Sequence, residues 1–349
     1  MNQTMTQRLA GWDIGGAHVK LALLDASGQV LDVAQRACPL WKGIQYLRAT
    51  LTDLARDYDL RQCRHVVTMT GELADCFASR EQGVLAIVQV VSEHFGSERV
   101  SVFAGQQGFL PVARIKASDC MAIASANWLA SVMLVANRVP NALFVDIGST
   151  TTDILLIQNH QLAAEGFTDY QRLVSGELVY TGIIRTSVMA IAQDIEFNGT
   201  HMGLMAEHFA TMADVYRLTG DLNEAHDQSE TADGTEKTLS ASARRLSRLT
   251  GYEFDASDGS LWLEFAERLK AKQIDKIASA CLKQIQRVDQ RSAIQLVGAG
   301  VGRFLAKQIA GELGIQYLDF VDLVPVANDN LAIDAGDCAP AAAVAYLQR

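Results

Sequence analysis

Apolar and polar positions in the first third of the chain change over in short bursts. The runs LALLD, QVLDVAQRA, HVVTMT and VSVFAG read as strands, whereas YLRATLTDLARDY and VLAIVQVVSEHF place apolar residues three and four apart and read as helices. From Gly11 to about Pro111 the order is strand, hairpin, strand, helix, strand, helix, strand, which predicts a mixed α/β sheet. Ser118 to Asn137 is Ala-rich with helical composition and ends near Pro140. Ala142 to Gly166 (ALFVDIGSTTTDILLIQNHQLAAEG) again sets an apolar run, a bend of small residues, a second apolar run and a turn at Asn159-His160. The region from about Thr186 to Lys270 reads as mainly helical, and its most polar stretch, Ala225 to Lys237, reads as a surface loop or a lid. A helix over Phe265 to Val288, a glycine-rich turn in AIQLVGAGVGRFLAKQIAGELG and an Ala-rich helix at about Pro340 to Leu347 complete the pattern.

Two of these bends echo each other. Asp13-Ile14-Gly15-Gly16 and Asp146-Ile147-Gly148 both close an apolar strand with a carboxylate and glycine, and they lie roughly 130 residues apart, about one domain length. The repeat predicts two related domains whose hairpins face one cleft. The first is expected over residues 1–140, with the helix at 338–349 packing back on it, and the second over 141–337, with a helical insertion at about 186–270.

Composition narrows the partners. Nearly half of the 349 residues are apolar and a fifth are charged, as in ordinary globular domains. A formal net charge of −10 argues against a nucleic-acid or anionic-membrane surface, while leaving room for a local basic pocket that takes a small phosphate. The N-terminus MNQTMTQRLAGWD lacks a charged start followed by an apolar run, and no stretch reaches the roughly 18 apolar residues of a membrane helix. Cys38, Cys63, Cys76, Cys120, Cys281 and Cys338 are scattered without a CxxC and read as reduced thiols with no zinc site. The expectation is a cytoplasmic enzyme; a homo-oligomer is compatible with it.

Glycine recurs at a third place, Gly298-Ala299-Gly300-Val301-Gly302-Arg303, which lacks the spacing of a dinucleotide-binding turn. A Gly-rich turn opening a helix still offers N–H groups to an anion or a ribose, with close packing of helix on strand as the competing explanation.

Taken in order, Asp-x-Gly-Gly, Asp-x-Gly-Ser-Thr-Thr and Gly-x-Gly-x-Gly resemble the phosphate-1, phosphate-2 and adenosine motifs of the actin, sugar kinase and Hsp70 (ASKHA) ATPase superfamily. More narrowly, DIGSTTTD, GELVYTGIIRTSVMAIA and VYRLTGDL resemble the hydantoinase/oxoprolinase branch. The modest length and MTGELADCF are most similar to its members in tetrahydromethanopterin-linked one-carbon metabolism. The resemblance implies two ribonuclease-H-like, actin-like domains with a cleft between them.

It also implies a Mg²⁺-dependent transferase of methanofuran (methylofuran) biosynthesis. Such an enzyme joins an aminomethylfuran-methyl diphosphate to the phenol of γ-glutamyltyramine, or a related tyramine or tyrosine acceptor, and releases diphosphate. Hairpin tips of small residues present N–H groups to phosphate oxygens. Gly15, Gly16, Gly148, Ser149, Thr150, Thr151, Gly298 and Gly300 are therefore the phosphate-binding candidates. Asp13 and Asp146 would hold Mg²⁺ through water. Lys20 stands at the Asp-to-Lys interval of actin's first phosphate loop and would neutralise a phosphate, and Arg185 could hold a diphosphate or carboxylate bidentately. Thr70 and Glu72 at a strand end, with Asn127 on the Ala-rich helix, are the substrate-binding candidates, Glu72 for an ammonium group. Asp153 could orient the second loop or a metal-bound water, and His18 is left out of catalysis. The same clamp could instead hold ATP in a kinase or hydrolase, or in a non-enzymatic assembly factor.

Overall fold

The computed structural model describes residues 7–288, 294–327 and 333–349; the first six residues of the N-terminal stretch lie outside them. The chain divides into two compact units, one of residues 1–141, 157–162 and 319–349, the other of 142–156 and 163–318. No single helix among the described residues is long and apolar enough to cross a membrane.

In the first unit the strands β1 (Leu9–Ile14), β2 (His18–Leu24), β3 (Val30–Ala37), β4 (Arg64–Met69), β5 (Val100–Phe103) and β6 (Phe109–Pro111) form one sheet in the order β3-β2-β1-β4-β5-β6. The meander β1–β2–β3 is antiparallel, and β4 joins β1 in parallel. Side chains alternate along a strand. Ala10, Trp12 and Ile14 of β1 therefore share one core with Leu47, Leu51 and Leu54 of α1 (Gln45–Asp57) and Val84, Ile87 and Val91 of α2 (Arg80–Phe95). Trp12 donates its indole N–H to His65 Nδ1 at 3.1 Å, and burial pushes the His65 imidazole down to about 3, so it stays neutral there.

The Ala-rich segment expected as one helix is two, α3 (Cys120–Ile123) and α4 (Asn127–Arg138). Ser125 breaks it with φ +51°, and its hydroxyl donates to Glu72 Oε1 at 2.7 Å. A serine that bonds elsewhere competes with the helix, and composition does not reveal that.

The second unit repeats the plan. Strands β7 (Ala142–Ile147), β8 (Thr152–Gln158) and β10 (Leu178–Val179) are followed, after an insertion, by β13 (Gln295–Ala299) and β14 (Gln316–Asp319), while the short β9 (Gln161–Leu162) and the end of β8 fall in the first unit. The order β10-β8-β7-β13-β14 matches β3-β2-β1-β4-β5 strand for strand, with β9 paired to the end of β8. The duplicated mixed α/β architecture expected from the two bends is thus present, in the strand order of an actin-like domain.

The insertion is less helical than its composition suggests. It contains a hairpin, β11 (Asp194–Phe197) with β12 (Thr200–Gly203), and three longer helices, α6 (Met212–Thr219), α7 (Leu239–Thr250) and α8 (Gly259–Ile285). A short helix, α5 (Asp169–Ser175), precedes it and α9 (Arg303–Leu313) follows β13. The polar stretch 225–237 is pinned down by charge. Arg217 of α6 meets Asp227 at 2.6 Å and Glu224 at 2.7 Å, while Arg245 of α7, fully buried, meets Asp214 at 2.7 Å and Asp233 at 3.1 Å.

The last helix, α10 (Ala339–Leu347), with Pro340 in its first turn, belongs to the first unit and lies on the face of β1 opposite Trp12. A Cβ at Gly11 would stand 2.0 Å from the carbonyl oxygen of Ala341 and 2.9 Å from Ala345 Cβ. Only glycine opposite alanines allows that approach.

Candidate active site

At the first hairpin Asp13 is the penultimate residue of β1, on the face that α10 covers, and it is 7% exposed. Its cross-strand partner is Lys20, whose ammonium donates to the Asp337 carbonyl at 2.7 Å. Asp337 sits in the turn before α10, where Asp334 Oδ1 accepts from the amides of Gly336 (2.8 Å) and Asp337 (3.2 Å) and Asp337 Oδ2 accepts from the Asp334 amide (3.0 Å). Burial pushes the Cys338 thiol up to about 12; Lys20 draws it down while Asp337, Asp13 and Asp334 push it further, so one thiol feels all four charges. The tip closes with Gly15 N–H on His18 O at 2.9 Å, leaving Gly15, Gly16 and Ala17 half-buried. Asp337 was not singled out in the sequence; the signal available was DAGD immediately ahead of the Pro-containing Ala-rich helix.

The second hairpin makes the same turn, with Gly148 N–H on Thr151 O at 2.8 Å, and Gly148, Ser149, Thr150 and Thr151 are half-buried. Asp146 is 8% exposed at the penultimate position of β7. Behind the tip runs the segment Thr181–Arg185. The Ile183 amide donates to Gly148 O (3.1 Å), and the amides of Ile184 (3.1 Å) and Arg185 (2.9 Å) both donate to Ser149 O. Gly182 is obligatory there, because a Cβ would stand 2.4 Å from the Thr150 nitrogen. Arg185 is thereby anchored by its backbone beside the tip, with the residue itself exposed. Asp153, expected as a candidate for orienting the loop or a metal's water, is ion-paired with Arg172, which is 2% exposed. Burial pushes the Asp153 carboxyl up against the pull of Arg172.

Residues 64–322 match the hydantoinase/oxoprolinase family model. The chain belongs to the hydantoinase/oxoprolinase family. It is 30% identical over 309 residues to the (4-{4-(2-(gamma-L-glutamylamino)ethyl)phenoxymethyl}furan-2-yl)methanamine synthase of Methanocaldococcus jannaschii, covering 88% of this chain and 90% of that one. To the synthase of the same name from Methanococcus vannielii it is 28% identical over 174 residues, 50% of this chain and 76% of the other. Among solved structures, nucleotide-free acetone carboxylase superposes with a TM-score of 0.57 at 11% identity, covering 88% of this chain and 68% of that one, which shows a shared fold.

In this hydantoinase/oxoprolinase member the third glycine site packs closely. Gly298, on β13, lies under Tyr317, whose hydroxyl would be 2.7 Å from an added Cβ. Gly300, with φ +80°, leaves room for the Asp146 carboxylate, since a Cβ would stand 2.3 Å from Oδ1. Gly302 donates its amide to Ile147 O at 2.8 Å. The family's strand-end segment brings Thr70 to the first hairpin: its amide donates to Ile14 O at 3.0 Å, and its hydroxyl oxygen would lie 3.6 Å from a Cβ on Gly15. Glu72 is 1% exposed beside Ser125, and Asn127 starts α4 with its Oδ1 on the Trp128 amide at 2.7 Å.

No cluster of three or more His, Cys, Asp or Glu side chains that could hold a metal occurs among the described residues. Mg²⁺ does not require one, because it keeps several waters and takes one or two carboxylates together with substrate phosphates. Asp146, with its carboxylate kept uncrowded by Gly300, and Asp13, at the matching place in the first unit, are hard oxygen donors of the type it uses.

Proposed function

We propose that this protein is a cytoplasmic transferase that joins an aminomethylfuran-methyl diphosphate to the phenol of γ-glutamyltyramine in methanofuran biosynthesis. The observation that carries the reading is the 30% identity to a synthase of that product, extending over nearly nine-tenths of both chains. The phenol oxygen forms a bond to the furfuryl carbon, the bond from that carbon to the diphosphate oxygen breaks with its electron pair staying on the diphosphate, and the phenolic proton passes to solvent. A furan ring stabilises positive charge on the carbon beside it, so the protein's main task is to stabilise the leaving group. Lys20 and Arg185 supply positive charge for the departing oxygens, and the two tips supply N–H and hydroxyl donors, an electrostatic contribution that grows toward the transition state. Asp13 and Asp146 would hold Mg²⁺, which when bound neutralises diphosphate charge. Thr70, Glu72 and Asn127 are proposed to bind the organic part, with Glu72 receiving the aminomethyl ammonium.

The test compares two incubations of purified protein with Mg²⁺, one with ATP and one with the furan diphosphate plus γ-glutamyltyramine. Diphosphate release and ether formation in the second alone is expected. ATP turnover would favour the kinase or hydrolase reading, and tight ATP binding without turnover the assembly-factor reading.

A further inference from the structure

Helix α8 presents a buried stripe of Trp262, Phe265, Leu269, Ile277 and Cys281, interrupted by two glutamines, Gln273 and Gln284, both fully buried. They are about three turns apart and so lie on one face. A primary amide in such a stripe is costly unless its donors and acceptor are all used. Gln284 gives its Nε2 to Ser175 O at 3.0 Å and accepts from Arg287 at 2.6 Å. Gln273 gives its Nε2 to Thr181 Oγ1 at 2.7 Å and to Gly182 O at 3.0 Å, and its Oε1 accepts the Tyr216 hydroxyl. Both protons of the Gln273 amide are committed to one short segment.

That segment is the backing of the second tip. Thr152 Oγ1 donates to Thr181 O at 2.7 Å, the Gly182 amide donates to Thr186 Oγ1 at 2.8 Å, and the next three amides hold the carbonyls of Gly148 and Ser149. Thr152, Thr181, Tyr216 and Gln273 are all fully buried, so the network is shielded from bulk solvent. We propose that Gln273 is the positioning residue of the second phosphate loop: it fixes Thr181–Arg185, and through it the attitude of Ser149–Thr151 and the point from which Arg185 reaches out. This rests on the reading that the loop holds the leaving diphosphate. Contacts that strengthen in the transition state tolerate little misplacement, so slack here lowers turnover more than ground-state binding of the whole substrate.

The test uses Gln273→Met, which keeps length and removes both donors and the acceptor, and the milder Tyr216→Phe, which removes one hydroxyl. Hydrogen exchange at the Ile183, Ile184 and Arg185 amides, titration of inorganic diphosphate with Mg²⁺, and kcat with KM are measured on both and on the wild type. In Gln273→Met we expect exchange at these amides to rise at least about tenfold, diphosphate affinity to fall, and kcat to drop about a hundredfold with KM nearly unchanged. Tyr216→Phe should lower kcat by about tenfold or less, one neutral hydrogen bond's worth, and carries the test if the first variant does not fold. Unchanged exchange in the folded variants overturns the proposal, as does raised exchange with wild-type diphosphate affinity and kcat. A wild type that binds no diphosphate would instead overturn the functional reading, whatever the exchange data give.

Discussion

At the tip of β1 and β2 the Gly15 amide closes on His18 at 2.9 Å, and at the tip of β7 and β8 the Gly148 amide closes on Thr151 at 2.8 Å. With the turns matched, the residue seven beyond each aspartate occupies the same place, and there the two differ in sign: Lys20 in the first hairpin, Asp153 in the second. Lys20 is steered by a carbonyl from the far end of the chain, whereas Asp153 is spent on Arg172. The surroundings differ too. Both tips are held from behind, the first by the Leu40 amide on Gly16 O (3.1 Å) and the Cys38 amide on Ala17 O (2.8 Å), the second by residues 183–185, but a Cβ on Gly16 would meet nothing within 4 Å whereas the second tip has Gly182 at contact distance. One turn can thus carry its own cation on the hairpin, as with Lys20, or stand beside an arginine that belongs to the segment bracing it, as with Arg185.

The largest expected effect tests what the hairpins share. Asp13→Asn and Asp146→Asn should each leave the fold intact and lower turnover by at least about a thousandfold, since both are proposed as metal-positioning carboxylates. Normal activity in either, by steady-state assay with Mg²⁺, would break the symmetry.

Next comes the position where they differ. Lys20→Ala should lower kcat by roughly a hundredfold to a thousandfold, about 2.7–4 kcal/mol, with a modest change in KM and little change in denaturant midpoint. Asp153→Ala should do the reverse, because it removes the carboxylate ion-paired with the buried Arg172, and chemical denaturation should report a loss of up to about 3–5 kcal/mol. If Lys20→Ala raises KM at constant kcat, the lysine is a uniform binding contact and the leaving-group role passes to Arg185.

A smaller contrast concerns the space around the tips. Gly182→Ala should cost about 1–3 kcal/mol by pressing on the Thr150 backbone, while Gly16→Ala should leave stability nearly unchanged and weaken diphosphate binding only. Equal thermal shifts for the two would erase the distinction between the uncrowded Gly16 and the crowded Gly182.

The smallest effect lies in the insertion that distinguishes the second unit. Burial raises the Asp233 carboxyl, but the Thr235 hydroxyl and amide and the Arg245 guanidinium outweigh it and hold it down at about 2. A depressed folded-state value means that the stabilisation is complete above the ordinary value of 3.8 and is lost as pH falls toward 2. The acid limb of a thermal-midpoint titration should therefore be shallower in Asp233→Asn than in the wild type between those values.

The order of strands and helices up to Phe103 was legible because each element there is a local alternation of apolar and polar residues. The hairpin tips were legible because Asp-Ile-Gly occurs twice. Asp337 and Gln273 were not, since each acts on a tip far away in sequence, Lys20 in one case and Thr181 in the other. At Ala225–Lys237 polarity identified a surface loop but not that its Asp227 and Asp233 are held by buried arginines. The break at Ser125 escaped because serine among alanines does not announce a positive φ.

Gly11 and Ala341 touch across almost the whole length of the chain, and this sets a schedule. A ribosome adding about 5–20 residues per second finishes β1 roughly twenty seconds to a minute before it delivers α10. During that interval the Asp13 face of β1 has no covering helix, and Lys20 has no Asp337 carbonyl to meet. The first unit to be synthesised is therefore among the last to be completed, and its hairpin tip acquires its final surroundings only when α10 arrives.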